Sequence, residues 1–384
     1  MISYKSKTLD NLAVVEAAER ALDKTCITAD EFQQIKTAYP VDLYTPNIYM
    51  RFGLFILTLV VVFFSFGLFC LLFMAGGEKA IAGLTLFFGA CLYGAIEFMV
   101  NEKKHYKSGV DAALMWMSGA AVIGAAIVFT DTHISLSGIS LLVLLLAMLF
   151  VLRFADVSMS IVAYLAFLTL LFSLFMHAGR MVIPFMLMGV SLVIYLLSRK
   201  LTTIHTYRHY TSCLKMIEIL SLITLYLGGN YFVVREASNA LFELDLKPGQ
   251  SIPGAWIFWI FTVIIPPIYI FAGIRKKDSI LIRTGLFLVA AIVFTIRSYH
   301  SVAPIEVAMT LGGIILIALA YGITRLLLPS RNGFTSEQTD DDKTDAIQLE
   351  AVIIAQSFNQ QAPQGDQFNF GGGSGGGGGA SGSY

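Results

Sequence analysis

The chain has 384 residues, of which 56% are hydrophobic and 14% charged, and its formal net charge is zero. Soluble domains carry roughly 25% charged residues, and a soluble fold of this length keeps a wetted shell too large to be covered by so few of them. The composition therefore excludes an ordinary water-soluble globule, and the charge balance gives no reason to expect nucleic acid or an acidic partner.

Residues 1–50 are the one sizeable polar stretch before the apolar runs begin. They carry no apolar core long enough for a signal peptide, so the first membrane segment is expected to be internal and uncleaved. In LDNLAVVEAAERALD, the residues Leu9, Leu12, Val15 and Leu22 recur at helical spacing. Thr28 is followed three residues later by Glu31, a capping-box pattern that opens a second helix carrying Phe32, Ile35 and Tyr39 on one face. Pro40 and Pro46 close the helical section. A hairpin of this size cannot hold itself together alone, so it is expected to dock on the membrane domain or on a partner.

From residue 52 apolar runs follow one another, each near the roughly 20 residues that a spanning helix needs. They cover 52–74, 80–100, 112–130, 136–152, 157–176, 181–198, 213–234, 255–274, 280–296 and 305–328. The sequence thus predicts an all-α, polytopic transmembrane bundle of about ten helices at 51–328, preceded by a helical hairpin at 1–50. Lys215 and Glu218 interrupt the seventh run. Basic residues test the count, because cytoplasmic connections carry the Lys/Arg excess. With ten spans, the even-numbered connections and both termini share one side and hold about 18 Lys/Arg, against about 5 on the other. Removing or adding a helix scrambles that pattern, so both termini are expected in the cytoplasm.

Residues 329–384 form a polar tail with Asp340, Asp341 and Asp342, a candidate short helix at 345–358, and the ending FNFGGGSGGGGGASGSY. A phosphate-cradling glycine loop needs a preceding strand, a following helix and usually a lysine. No lysine follows Lys343, so the glycines read as a flexible, disordered tail. Its composition over 370–384 resembles the tails of bacterial membrane proteins of the TPM-domain family, which implies a bacterial origin. The stretches ITADEFQQIKTAYP and HYKSGVDAALMWMSG, set before and within a long series of spans, resemble Bacteroidetes-type multi-pass membrane proteins grouped as a domain of unknown function. That resemblance implies an architecture and the bacterial inner membrane, and no chemistry.

Ionisable residues within spans cost roughly 2.5–3.5 kcal/mol each on insertion scales, so each needs a reason. Lys215 and Glu218 lie three apart on one helical face, where they can pair, and Lys215 can snorkel to the headgroups. Their functional alternative is a proton or substrate pathway. Glu97 lies near the end of the second span, where interfacial water reaches it. Arg153 and Asp156 flank the turn between the fourth and fifth spans and are expected to pair. HTYRHY (205–210) has the composition of a lipid headgroup interface.

Two backbone features suggest broken helices. They are Pro266-Pro267 in the eighth span and Gly228-Gly229-Asn230 near the end of the seventh. The outer stretch LFELDL (241–246) reads as a short strand. Cys26, Cys70, Cys91 and Cys213 form no CxxC pair. His133, His177 and His300 fall on separate connections without ligand spacing, so no metal and no cofactor is expected. With no catalytic motif, the expected function is a scaffold or regulatory membrane component touching lipid and a protein partner through the hairpin or the tail. The alternative is a transporter or channel using the kinked seventh and eighth helices. Candidate binding residues are Lys215, Glu218, Asn230 and Glu97.

Overall fold

The computed structural model describes residues 2–73, 76–131, 133–176, 179, 181–242 and 250–299, with isolated positions between 307 and 325. The hairpin comes first, as α1 (Ser6–Asp23) and α2 (Ala29–Ala38). Its capping box is complete: Thr28 N–H donates to Glu31 Oε2 at 2.7 Å, and Glu31 N–H donates to Thr28 Oγ1 at 3.3 Å. The donated Thr28 N–H holds the Glu31 carboxyl below the usual carboxylate range.

Nine helices among the described residues are long and apolar enough to cross a membrane. The first six are α3 (Ile48–Phe73), α4 (Gly77–Asn101), α5 (Val110–Phe129), α6 (Leu136–Phe154), α7 (Val157–Phe175) and α8 (Val182–Thr202). A 3-10 turn at His205–Tyr210 then leads into α9 (Thr211–Gly229), and the short α10 (Tyr231–Phe242) follows directly. The last two are α11 (Ala255–Lys276) and α12 (Ser279–Tyr299). Helices are the expected solution, because lipid offers no partner for backbone N–H and C=O groups. Of the expected tenth span, 305–328, the scattered described positions are helical. The remainder of that span and the tail at 329–384 lie outside the described residues.

Tight turns explain how the spans reverse so sharply. Between α6 and α7 only two residues intervene. Ala155 takes a left-handed conformation (φ 52°) that ends α6, and the Asp156 side chain accepts from Met159 N–H to start α7. Asp156 therefore caps a helix and does not pair with Arg153. Gly109, at φ 89°, precedes α5, and a Cβ there would sit 2.1 Å from the Arg51 carbonyl oxygen of α3. Only glycine allows both that backbone and that approach.

Successive helices pair as hairpins: α4 with α5, α6 with α7, α8 with α9, and α11 with α12. α9 also touches α7, α10, α11 and α12 and is the most enclosed span, whereas α3 is the most peripheral. One apolar core joins Val62, Leu92, Ile96, Met115, Phe150 and Phe154 with Tyr4 and Leu9 of the N-terminal arm. A second joins Tyr195, Leu222, Tyr226, Ile265, Tyr269 and Leu288 among α8, α9, α11 and α12.

The arm, residues 2–47, docks on the membrane bundle. Ser3 N–H donates to the Arg153 carbonyl at 2.8 Å, Tyr4 meets Tyr106 edge to face, and Lys104 pairs with Asp42 at 3.0 Å. Tyr44 pairs with His105 in the one β-bridge among the described residues. These contacts gather the ends of α4 and α6 at one face, here called the arm end, and Arg208 and His209, just beyond α8, reach the arm there as well. Lys79 pairs with Asp131 at 3.4 Å at the opposite face. The 102–109 connection and Arg153, which the charge pattern grouped together, thus share one end with the arm.

Candidate functional site

The four candidate residues fall in three polar centres among the described residues. The first surrounds Glu97, in the last turn of α4. Arg153 of α6 donates from Nε to Glu97 Oε1 at 2.6 Å and from Nη2 to Oε2 at 2.9 Å. Tyr93 Oη donates at 3.1 Å, Asn101 Nδ2 at 3.0 Å and Ser3 Oγ at 3.2 Å. A carboxylate with a bidentate arginine and three further donors is satisfied electrostatically and geometrically. Glu97 is thus not simply solvated at the interface; it ties α4, α6 and the arm together. Beside it Tyr93, Leu145, Met148, Leu149, Leu152 and Arg153 line an apolar groove of about 420 Å³.

A second latch secures the same arm. Arg208 donates to both carboxylate oxygens of Asp10, at 2.8 and 2.7 Å, and Ser6 Oγ lies 2.8 Å from His209 Nε2. These Arg208 bonds hold the Asp10 carboxyl below the usual carboxylate range. Tyr210 Oη donates to the Leu152 carbonyl at 2.6 Å. The HTYRHY stretch therefore grips the arm and α6 with its polar side chains, a role that its composition did not disclose.

The second centre is Asn230, where the structure revises the seventh span. The helix does not run through 213–234; α9 stops at Gly229, and Asn230 takes an extended conformation before α10 begins. Gly228 and Gly229 are hemmed in on both sides. A Cβ on Gly228 would meet the Pro184 carbonyl oxygen at 3.1 Å, and one on Gly229 would meet Phe261 and Ile265 at 3.1 Å. Asn230 then satisfies the break. Its Nδ2 donates to Tyr226 Oη and to Thr295 Oγ1, both at 2.9 Å, and its Oδ1 accepts from Val233 N–H at 3.1 Å. Thr262 Oγ1 of α11 accepts the Tyr231 N–H at 2.9 Å. Asn230 and Thr262 are almost wholly buried. The knot holds four helices around a break.

Beyond it α10 lies at the end opposite the arm. Arg235 donates to Glu236 at 2.6 Å and to the Gln250 carbonyl at 3.1 Å, and it stands over the Tyr299 ring. Tyr231 stacks on Trp259. Positions 241 and 242 of the expected LFELDL strand are helical, and 243–246 lie outside the described residues.

The third centre contains Glu218. It is 4% exposed, on α9 one turn from the buried Leu222. No described residue hydrogen-bonds its carboxyl. The charges acting on it are Asp278, Arg199 and Lys215. Lys215 acts through space, and no ion-pair contact joins the two. Arg199 Nη1 of α8 instead pairs with Asp278 Oδ2 at 2.7 Å and donates to Tyr195 Oη at 2.7 Å. Asp278 Oδ1 accepts the Ile280 N–H at 3.0 Å and so caps α12.

Among the described residues no three His, Cys, Asp or Glu side chains gather as metal ligands. His177 and His300 lie outside them. The nine apolar helices and their packing define the chain as a multi-pass, all-α integral membrane protein. Comparison with protein families, with curated proteins and with solved structures found no match.

Proposed function

We propose that this chain is a non-catalytic scaffold or regulatory component of a bacterial cytoplasmic membrane, with its arm and its C-terminal residues on the cytoplasmic side. The orientation rests on the basic connections collected at the arm end. One observation carries the scaffold reading. The arm is pinned to the bundle by Ser3, Ser6, Asp10 and Asp42, yet α2 at its outer edge has no buried residue. A rigidly mounted helix with a polar face suits recognition of a protein partner better than it suits stability. Affinity purification from native membranes tests this. Deleting residues 1–45, or 330–384, is expected to lose a specific partner while the protein stays inserted. An unchanged set of partners for both deletions defeats the reading.

A second reading, a transporter or channel, has its own supporting observation. α9 breaks at Asn230, against the stretch of α11 that carries Pro266 and Pro267, and broken helices line substrate sites in transporters. Ion or solute flux into proteoliposomes that is lost on substituting Asn230 or Glu218 establishes it, and tight vesicles across a broad solute panel remove it.

A further inference from the structure

Glu218 is the one candidate whose carboxyl the bundle leaves without a hydrogen-bond donor among the described residues, although it is 4% exposed within a spanning helix. Glu97 shows how this chain treats a carboxylate that it keeps ionised, by supplying an arginine fork and three more donors. Burying a carboxylate without such donors is costly, whereas a neutral carboxyl, which still gives up hydrogen bonds to water, costs far less. A donor stands close by and is not used on Glu218. Arg199, the cation of α8 that acts on it, is bonded to Asp278 and Tyr195. That is the arrangement expected around a neutral Glu218.

We propose that Glu218 is a proton-binding site, and that its charge state sets the grip of Arg199 on the α11–α12 turn. The ligand is a single proton from water at the arm end. It adds to one oxygen of the Glu218 carboxylate, leaving a neutral acid, and returns to water on release. Arg199, whose side chain is 35% exposed, meets that water while it holds Asp278. The ionisable groups around the site are Tyr195 and Arg199 from α8, Lys215 from α9, Tyr269 from α11 and Asp278 from the turn.

With the proton bound, Arg199 has one carboxylate to serve, Asp278, which caps α12 through the Ile280 and Leu281 N–H groups. With the proton released, Glu218 competes for the same guanidinium, and the bridge from α8 to the start of α12 slackens. This inference is independent of the scaffold reading, since a scaffold or a transporter could each use such a switch.

Infrared difference spectroscopy of the full-length protein in lipid nanodiscs, stepped through pH, reads the proton directly. A carboxylic-acid carbonyl band is expected to appear as pH falls, to shift with ¹³C-glutamate labelling and to vanish in Glu218→Gln. Hydrogen exchange at 278–285, corrected for the intrinsic pH dependence, is expected to quicken as the band disappears, and to lose that step in Glu218→Gln. Should the glutamine variant fail to fold, Glu218→Asp keeps the test, because it must move the band without abolishing it. Absence of a titrating acid band in the wild-type protein, or its persistence in Glu218→Gln, overturns the proposal. A titrating band without any change in exchange at 278–285 overturns the switch.

Discussion

The part of the bundle from α3 to α7 and the part from α8 to α12 manage buried polarity differently. In the first, the ionic centre sits near a helix end, Glu97 with Arg153, and the core beside it is apolar. In the second, polar groups reach into the centre of the packing: Asn230, Thr262 and Thr295 at a helix break, and Glu218 without a donor. A polar group at a helix end can borrow water, whereas one deep in the bundle must be supplied by neighbouring helices. The α3–α7 region therefore reads as a mount for the arm, completed by the latch at 205–210, and the core of α8–α12 as the place where a change of protonation or ligand would be felt.

The sharpest way to break this comparison is Asn230→Ala. It strands the Val233 N–H and removes both bonds from Nδ2, so a loss of about 2–3 kcal/mol is expected in a reversible unfolding assay in mild detergent. A loss near zero would make the α9–α10 break as undemanding as a surface turn. Next comes Arg153→Ala, expected to cost about 2 kcal/mol, because it leaves the half-buried Glu97 without its fork. It should also expose the arm to limited proteolysis. The double variant Glu97→Leu/Arg153→Leu is expected to be less destabilised than Arg153→Ala alone, since no orphan charge remains.

Gly229→Val sharpens the contrast from the packing side. The new side chain meets Phe261 and Ile265, and overpacking of this kind costs about 1–3 kcal/mol. Gly124, with open space around it in α5, is expected to accept alanine with little change. Thr28→Ala removes half of the capping box and should cost about 1 kcal/mol, confined to α2 and visible as faster hydrogen exchange there.

The smallest effect belongs to the Asp10–Arg208 latch, which is partly exposed and screened by salt. The Asp10 carboxyl lies below its unfolded value, so its contribution is complete above about pH 4. It is lost as pH falls through the folded value. Proteolytic release of the arm is expected to rise in that acid window, and Asp10→Asn is expected to remove the dependence.

The amino-acid order discloses what is local. Length and apolarity delimit the spans, Thr28 and Glu31 announce the capping box, and Gly228-Gly229-Asn230 marks the break. The partners were not legible. Glu97 and Arg153 are 56 residues apart, and Asp10 and Arg208 are 198 apart. Helical periodicity says which face a residue occupies and nothing about which distant helix will lie against it. Asp156 shows the same limit at close range. It stands beside a turn within reach of Arg153, yet the free N–H groups at the start of α7 claim it first. For Glu218, charge and position raised the question, and the absence of a donor emerged only from the packing of α8, α11 and α12 around it.

The docked arm also dictates an order of events at the ribosome. Ser3 and Asp10 leave the exit tunnel before any of the nine apolar helices described above, while Arg153 and Arg208 follow much later in the chain. At about 5–20 residues per second, the newborn arm waits on the order of ten seconds or more for its docking partners. During that interval α2, of 10 residues, is too short to persist alone. The arm, made before the residues that hold it, is thus among the last of these segments to settle, and a chain interrupted before residue 208 would leave it unlatched.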